Sequence, residues 1–376
     1  MAIQPAGNFT RITSNSLQAR VYVDSGHLEL VGPDLAGNPL ANVVTFAPAA
    51  VTIAGAQIIL GRVVSSTAVA NGLELVQMLG AAQAITHLTF PEQNVMRYEV
   101  IDWGGQLPSE VSVAGGSDGS EHFYGFGEKF NAFDQTGKKT KVVTFDGPGP
   151  KGDHSYKAVP WFISTRGYGF HLDSSAESSF DMRLTKVDRY IVTNRFSSLK
   201  FNVVYGPKLT DVLTRYTAYT GRPTLPPPWV FGPWISSDVW RNGGEVRYAV
   251  TKFRNLGIPA SVFVFDSPWE TAYNDFTFNK TQFGANGTFE GKEFDRFDSP
   301  AEMINFFQKQ GLKVICWTTP FINDQSNHDE VTGQLAKASN YDDGAGPRPS
   351  NLCARAWAEN TCPVGPIDQS LFRSAM

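Results

Sequence analysis

"ASVFVF" (Ala260–Phe265) runs without a break into "DSPWETAYNDFTFN" (Asp266–Asn279), and the join between them decides how the chain is read. The first segment is rich in β-branched and aromatic residues and is apolar at nearly every position, the pattern of a strand buried on both faces. The second opens with a carboxylate and mixes acids, a proline and several rings. A buried strand that empties into such a loop points to a place where a polar ligand is held.

The flanking sequence repeats the unit. "WVFGPW" (Trp229–Trp234) reads as an earlier strand, and "GEVRYAVTKFRN" (Gly244–Asn255) as a helix with Val246, Val250, Phe253 and Leu256 on one face and Gly257 and Pro259 as its stop. After the loop, "SPAE" predicts a second helix. Ser299 caps it, Pro300 sits in its first turn, Glu302 closes a capping box, Ile304 and Phe307 face inward and Gly311 ends it. "LKVICW" (Leu312–Trp317) is the third strand, with Cys316 read as a small buried residue. Apolar strands joined by helices imply a parallel sheet, in a βα barrel or a doubly wound fold. Both architectures carry their sites on loops at the carboxyl ends of the strands, here "ISSDVWRNGG", "DSPWETAYNDFTFN" and "TTPFIND". Asp238, Asp266, Glu270, Asp275 and Asp324 are the carboxylates that could meet at that mouth.

Upstream the rhythm is different. From Ala19 to about Gly206, short runs such as "ARVYVD", "GLELVQML", "RYEVIDW" and "LKFNVVYG" alternate between Gly, Pro, Asn, Asp and Ser clusters, which suits an antiparallel sandwich. "PKLTDVLTRYTAYTG" then reads as a helix, with Leu213, Tyr216 and Tyr219 at helical spacing and Gly221 as its stop. The prolines of "RPTLPPPW" form a stiff connector. The expected division is a sandwich over residues 1–221, a connector over 222–228, part of a barrel over 229–343 and an irregular tail over 344–376.

Composition excludes several classes. A net charge of −4, with one small basic run, "KKTK" (Lys138–Lys141), read as a solvated loop, gives no handle on nucleic acid. No apolar stretch is long enough to span a membrane, and no basic segment followed by an apolar run opens the chain, so the default expectation is cytoplasmic. Cys316, Cys353 and Cys362 make neither a disulfide framework nor a zinc spacing, and the six histidines are scattered. "GPGPKG" (Gly147–Gly152) matches a dinucleotide fingerprint only literally, since it leads into no predicted helix. No cofactor is expected. The sequons at Asn8, Asn279 and Asn286 would matter only in a secreted protein.

"YGFGEKF" (Tyr124–Phe130) with "DQTGK", then "YTGRPTLPPPWVFGPWISS", then a strand ending at Asp266 with "DFTFN" (Asp275–Asn279) nine residues on, then "PFI" (Pro320–Ile322), together resemble glycoside hydrolase family 31. The resemblance runs in order from about Tyr124 to Tyr341. It implies a galactose-mutarotase-like β-sandwich followed by the first part of a catalytic (β/α)8 TIM barrel, acting on α-linked glycosides or oligosaccharides. It also implies that Asp266 hydrogen-bonds sugar hydroxyls, with Trp234 and Ile322 as apolar walls and Trp269 and Tyr273 as further lining. The residue types suit a pyranose, which offers hydroxyls to a carboxylate and C–H faces to rings. "DFTFN" looks more like the family's α-glucosidases than its α-xylosidases; transglycosylases share the family, and a non-catalytic sugar-binding remnant is the alternative.

Retaining glycosidases need two carboxyl groups about 5 Å apart. In the family these follow the fourth and sixth barrel strands, and fewer than 150 residues remain after Trp229 where a barrel takes roughly 250. Glu359 and Asp368, the acids of the last stretch, sit in no comparable context. No catalytic residue is therefore assigned, and from about Gly344 the text is expected to be out of frame. Translating the coding DNA beyond that point in the other two frames should reveal a fourth strand followed by an Asp motif; its absence from both frames removes that expectation.

Overall fold

The computed structural model describes residues 2–145, 152–155, 157–237, 240–266, 269–270, 276–318, 328–329 and 334–335. It falls into two units, the first reaching Arg222 and the second starting at Pro223.

Among the described residues the first unit holds eighteen strands between Ala2 and Tyr205, and all the pairings between these strands are antiparallel. One sheet begins as a meander, Ala2–Ala6, Phe9–Ser14, Leu17–Tyr22, Leu28–Gly32 and Ala41–Phe46. Ala41–Phe46 and Ala50–Ile53 both lie on Glu110–Gly116, and Arg189–Asn194, Ser178–Met182 and Lys138–Val142 extend the sheet. The other sheet runs in space from Ala56–Val69 through Gly72–Leu79, Ala82–Glu92, Val95–Asp102, Lys200–Tyr205, Tyr168–Leu172 and Ala158–Ser164 to Phe123–Gly127. Ala56–Val69 belongs to both. Ala56–Ile59 pairs with Ala50–Ile53, and after register shifts near Leu60 and Val63 the same strand pairs with Gly72–Leu79.

Side-chain alternation explains why the sheets stack. Phe46, Phe162, Phe170, Phe180, Tyr190 and Phe201 all point into one core. Phe162 lies parallel to Phe170 at 5.5 Å between ring centres and meets Tyr190 edge-on at 5.1 Å. "LKFNVVYG" is buried on both faces because helix Leu209–Thr220 covers its outer one. Val212 and Tyr216 of that helix pack there, with Tyr216 stacked on Trp161 at 3.7 Å, while Leu213 is 52% exposed and faces away from the sheet. Gly221 ends the helix at φ 106°.

The glycines of "YGFGEKF" are structural. Gly125 (φ 150°) and Gly127 (φ 75°) stand so close to the strand Ala158–Ser164 that an added Cβ would collide with the carbonyl oxygens of Trp161 and Lys157. "KKTK" is a correction: it forms the strand Lys138–Val142, with Thr140 fully buried and Lys141 paired with Glu177 at 3.2 Å. The opening residues also form a strand pair ahead of the predicted start, turned at Gly7 (φ 66°).

Among its described residues the second unit holds three parallel strands in spatial order Trp234–Ile235, Val262–Phe265 and Lys313–Cys316, connected by helices Gly243–Asn255 and Pro300–Lys309. This is the start of a TIM-barrel domain. The first strand is shorter than expected because Pro228–Phe231 wind into a 3₁₀ turn ahead of it. Asn242 and Ser299 cap the helices by accepting the Glu245 and Glu302 N–H groups. The Glu302 carboxylate reaches Asp298 N, one residue before the cap, instead of the cap's own N–H. Val246, Val250, Met303 and Phe307 bury against Phe263 and Phe265, while Leu256, at the helix end, is 61% exposed. Cys316 is exposed, against expectation, because Lys313–Cys316 has only one strand partner among the described residues.

Within the first unit, Glu121 is 1% exposed and accepts hydrogen bonds from Ser164 and, at 2.8 Å, from the Tyr168 hydroxyl. Burial raises its carboxyl above the ordinary 4.5 despite those bonds. The folded chain thus holds this proton more tightly than the unfolded chain. Its contribution is fully present below pH 4.5 and is lost as pH rises through the folded value. The stability of wild type relative to Glu121→Gln should therefore fall with pH upward from that point, as read from urea midpoints of the two proteins.

Candidate functional site

The central strand fixes the geometry. Phe263 and Phe265 are fully buried on the face packed against the helices, so Val262, Val264 and the next residue in phase, Asp266, occupy the opposite face. In a closed barrel that face lines the interior. Asp266 is half-buried at the carboxyl end of the strand, where barrel sites form.

Three indoles surround this region in different ways. Trp269 follows Asp266 in the same loop and donates from Nε1 to the Trp317 carbonyl at 2.6 Å, pinning the loop to the end of the third strand. Trp317 in turn donates its backbone N–H to Phe265 O at 2.7 Å, so the strand ladder continues to the last residue before Asp266. Trp240 is nearly buried and donates to Val264 O at 2.9 Å, tying the loop after the first strand to the central one. Trp234 shares the Val262 face but lies opposite Val262 in the register, at the amino end, about 13 Å below Asp266 at strand rise. Its indole donates backward to Val230 O at 3.0 Å and is 44% exposed.

Glu270 is 1% exposed and accepts the Phe276 N–H at 2.8 Å, and its backbone bridges Phe278 antiparallel. One oxygen of that carboxylate is thus held by the main chain. Asp238, Tyr273, Asp275, Ile322 and Asp324 lie outside the described residues, as do Gly147–Lys151 of "GPGPKG". The structure therefore brings Asp266 and Trp269 to one strand end and places Trp234 lower on the same face. Sequence reasoning missed Trp240 and the structural use of Glu270. The signal was a tryptophan or an acid placed shortly after a buried strand, where an N–H donor or an acceptor can satisfy backbone groups at the strand ends.

Other constellations do less. "GGSDG" (Gly115–Gly119) has the form GxSxG, but it leaves a strand for the Asp118–Ser120 turn, and the Ser117 hydroxyl donates to Asp118 O. His122 Nδ1 lies 2.6 Å from Asp134, yet among the described residues no hydroxyl completes a triad with it. A cavity of about 330 Å³ opens beside Arg166, whose guanidinium is already committed to Asn42 and to the Gly116 carbonyl. Among the described residues no cluster of His, Cys, Asp or Glu suits a metal, and no helix is long and apolar enough to cross a membrane. Replacing Trp269 by Phe keeps the ring but removes the bond to Trp317 O, which should cost about 1 kcal/mol. Faster amide exchange over 276–279 with little change in the sandwich would be the expected result.

Two family models match the chain in succession. Residues 72–181 match the glycosyl hydrolase 31 N-terminal galactose mutarotase-like domain, and residues 223–352 match the glycosyl hydrolases family 31 TIM-barrel domain, a match that runs past Gly344. Curated relatives include α-xylosidases, α-glucosidases and an isomaltosyltransferase. The α-xylosidase XylQ of Lactiplantibacillus pentosus is 31% identical over 208 residues, 55% of this chain and 26% of that one. The isomaltosyltransferase of Sporosarcina globispora is 28% identical over 265 residues, 65% of this chain and 24% of that one. The matched stretches thus span about a quarter of these relatives. A glucose complex of the Flavobacterium johnsoniae GH31 dextranase superposes with a TM-score of 0.53 at 18% identity, covering 86% of this chain and 39% of that one, a likeness of fold. With consecutive stretches matched to consecutive domains of one group of glycosidases, and with the sandwich and parallel strands those domains require, the chain belongs to glycoside hydrolase family 31.

Proposed function

We propose that this chain carries the sugar-recognising part of an α-glycosidase site and not its bond-breaking part. One observation supports this above the others: Asp266 leaves the central parallel strand in phase with Val262 and Val264, on the face turned away from the helices. A carboxylate there accepts two hydroxyl hydrogen bonds from a pyranose, and a carboxylate acceptor in a half-buried site is stronger than a neutral one. Trp269 supplies an apolar ring in the same loop, whereas Trp234, about 13 Å lower at strand rise with its indole turned to Val230 O, is too far to touch the same ring. Ile322 is assigned the remaining wall.

Double displacement at an α-glycosidic bond needs a nucleophile and an acid/base about 5 Å apart. At this mouth the described carboxylates are Asp266 and Glu270, and Glu270 is occupied by the Phe276 N–H. Recognition without turnover is the reading that fits, within an enzyme whose complete barrel acts on α-linked glucosides; "DFTFN" carries the preference for glucose over xylose. The domain division proposed from sequence, sandwich to residue 221 and barrel from 229, goes with this reading.

The test is binding of methyl α-D-glucopyranoside by NMR titration, alongside hydrolysis of an aryl α-glucoside. The wild-type chain should bind weakly and not hydrolyse. Asp266→Ala should lose roughly 10–100-fold in affinity, the worth of hydrogen bonds to a charged acceptor. Equal affinity of wild type and variant defeats the assignment, as does turnover by the purified chain.

A further inference from the structure

We propose that Glu270 is a positioning residue for the sugar loop, its buried carboxylate clamping the backbone at Phe276 and so fixing how the loop that starts at Asp266 returns to the domain. The proposal rests on the reading of Asp266 given above.

The clamp is built from several directions. Glu270 accepts the Phe276 N–H at 2.8 Å with only 1% of the residue exposed, so the bond is shielded from competing water. Phe276 has φ 50°, in the left-handed region that a bulky side chain adopts only when its surroundings hold it there. The residue is 66% exposed, so packing of its side chain gives little support to that conformation, and the bond to Glu270 holds its backbone N–H there. Around this point the two ends of the loop are laced together. Glu270 bridges Phe278, and Asn279 N donates to Trp269 O at 3.1 Å. Phe278 then stacks on Phe283 at 5.1 Å, and Phe283 meets Phe265 edge-on at 5.3 Å, which ties the returning chain to the core beneath the strand end.

A carboxylate in this place does what an apolar residue of the same size cannot. The loop leaves the strand at Asp266 and comes back at Phe278, and without an acceptor at Glu270 the Phe276 N–H loses its partner and the backbone relaxes to an ordinary negative φ. Asp266 would then sit at the start of a loop whose return path has changed. Glu270 touches no substrate in this scheme; it acts through the main chain.

The experiment compares Glu270→Gln, which keeps a carbonyl acceptor, with Glu270→Met, which fills the space without one, in the full 376-residue chain. Amide exchange at Phe276 and affinity for methyl α-D-glucopyranoside are read on each. Glu270→Met should speed exchange at Phe276 at least tenfold and weaken sugar binding about tenfold, and Glu270→Gln should restore most of both. A Gln variant as impaired as the Met variant overturns the proposal, and so does unchanged exchange in Met. If Met fails to fold, Gln against wild type decides, with near-wild-type values on both readouts expected. A wild-type chain that binds no sugar would sink the reading of Asp266 instead, and the exchange measurement alone would then decide the clamp.

Discussion

The alternation of one four-residue strand sets the second unit. Phe263 and Phe265 must face the helices and Val262 and Val264 the other side, because each phenylalanine is worth about 1.5–3 kcal/mol when buried. A slip of one residue would put both rings on the wrong face, a cost of about 3–6 kcal/mol, and would turn Asp266 toward an apolar helix layer. The face on which Asp266 leaves the strand therefore follows from where the phenylalanines are buried.

Much of this was legible in the sequence for that same reason. Hydrophobic period, proline and glycine stops and the Ser299 cap are local signals, and they located the helices and the central strand. What escaped was set by partners distant in the chain. "KKTK" reads as a charged loop until Glu177 and Ser178–Met182 are placed beside it. Cys316 reads as buried because its strand is apolar, whereas its exposure depends on how many strands flank it. Leu213 and Val212 are neighbours in the helix, and only the position of Trp161 and Val204 decides which of the two is covered.

The site divides along the same line. The place of Asp266 follows from the phase of its own strand, and that of Trp269 from the same loop and its bond to Trp317 O. In the sequence Glu270 is one of five acids able to meet at the mouth, whereas in the fold it accepts a backbone N–H. Glu121 shows the same principle in the sandwich, where hydroxyls of Ser164 and Tyr168 meet a carboxyl that burial keeps protonated more readily than usual. Whether a buried acid serves structure or chemistry is decided by what donates to it, and donors from other strands are invisible in a linear reading.

The strand Ala56–Val69 gives the sandwich a mechanical character that contacts between side chains would not. A stack of two layers is held face to face by interdigitated side chains alone unless the chain itself crosses between them. Here one covalent chain is laddered into the first layer at its beginning and into the second at its end, so any glide must rip backbone hydrogen bonds at a corner. The strand works as a stitch through both layers, adding a backbone seam to the side-chain packing.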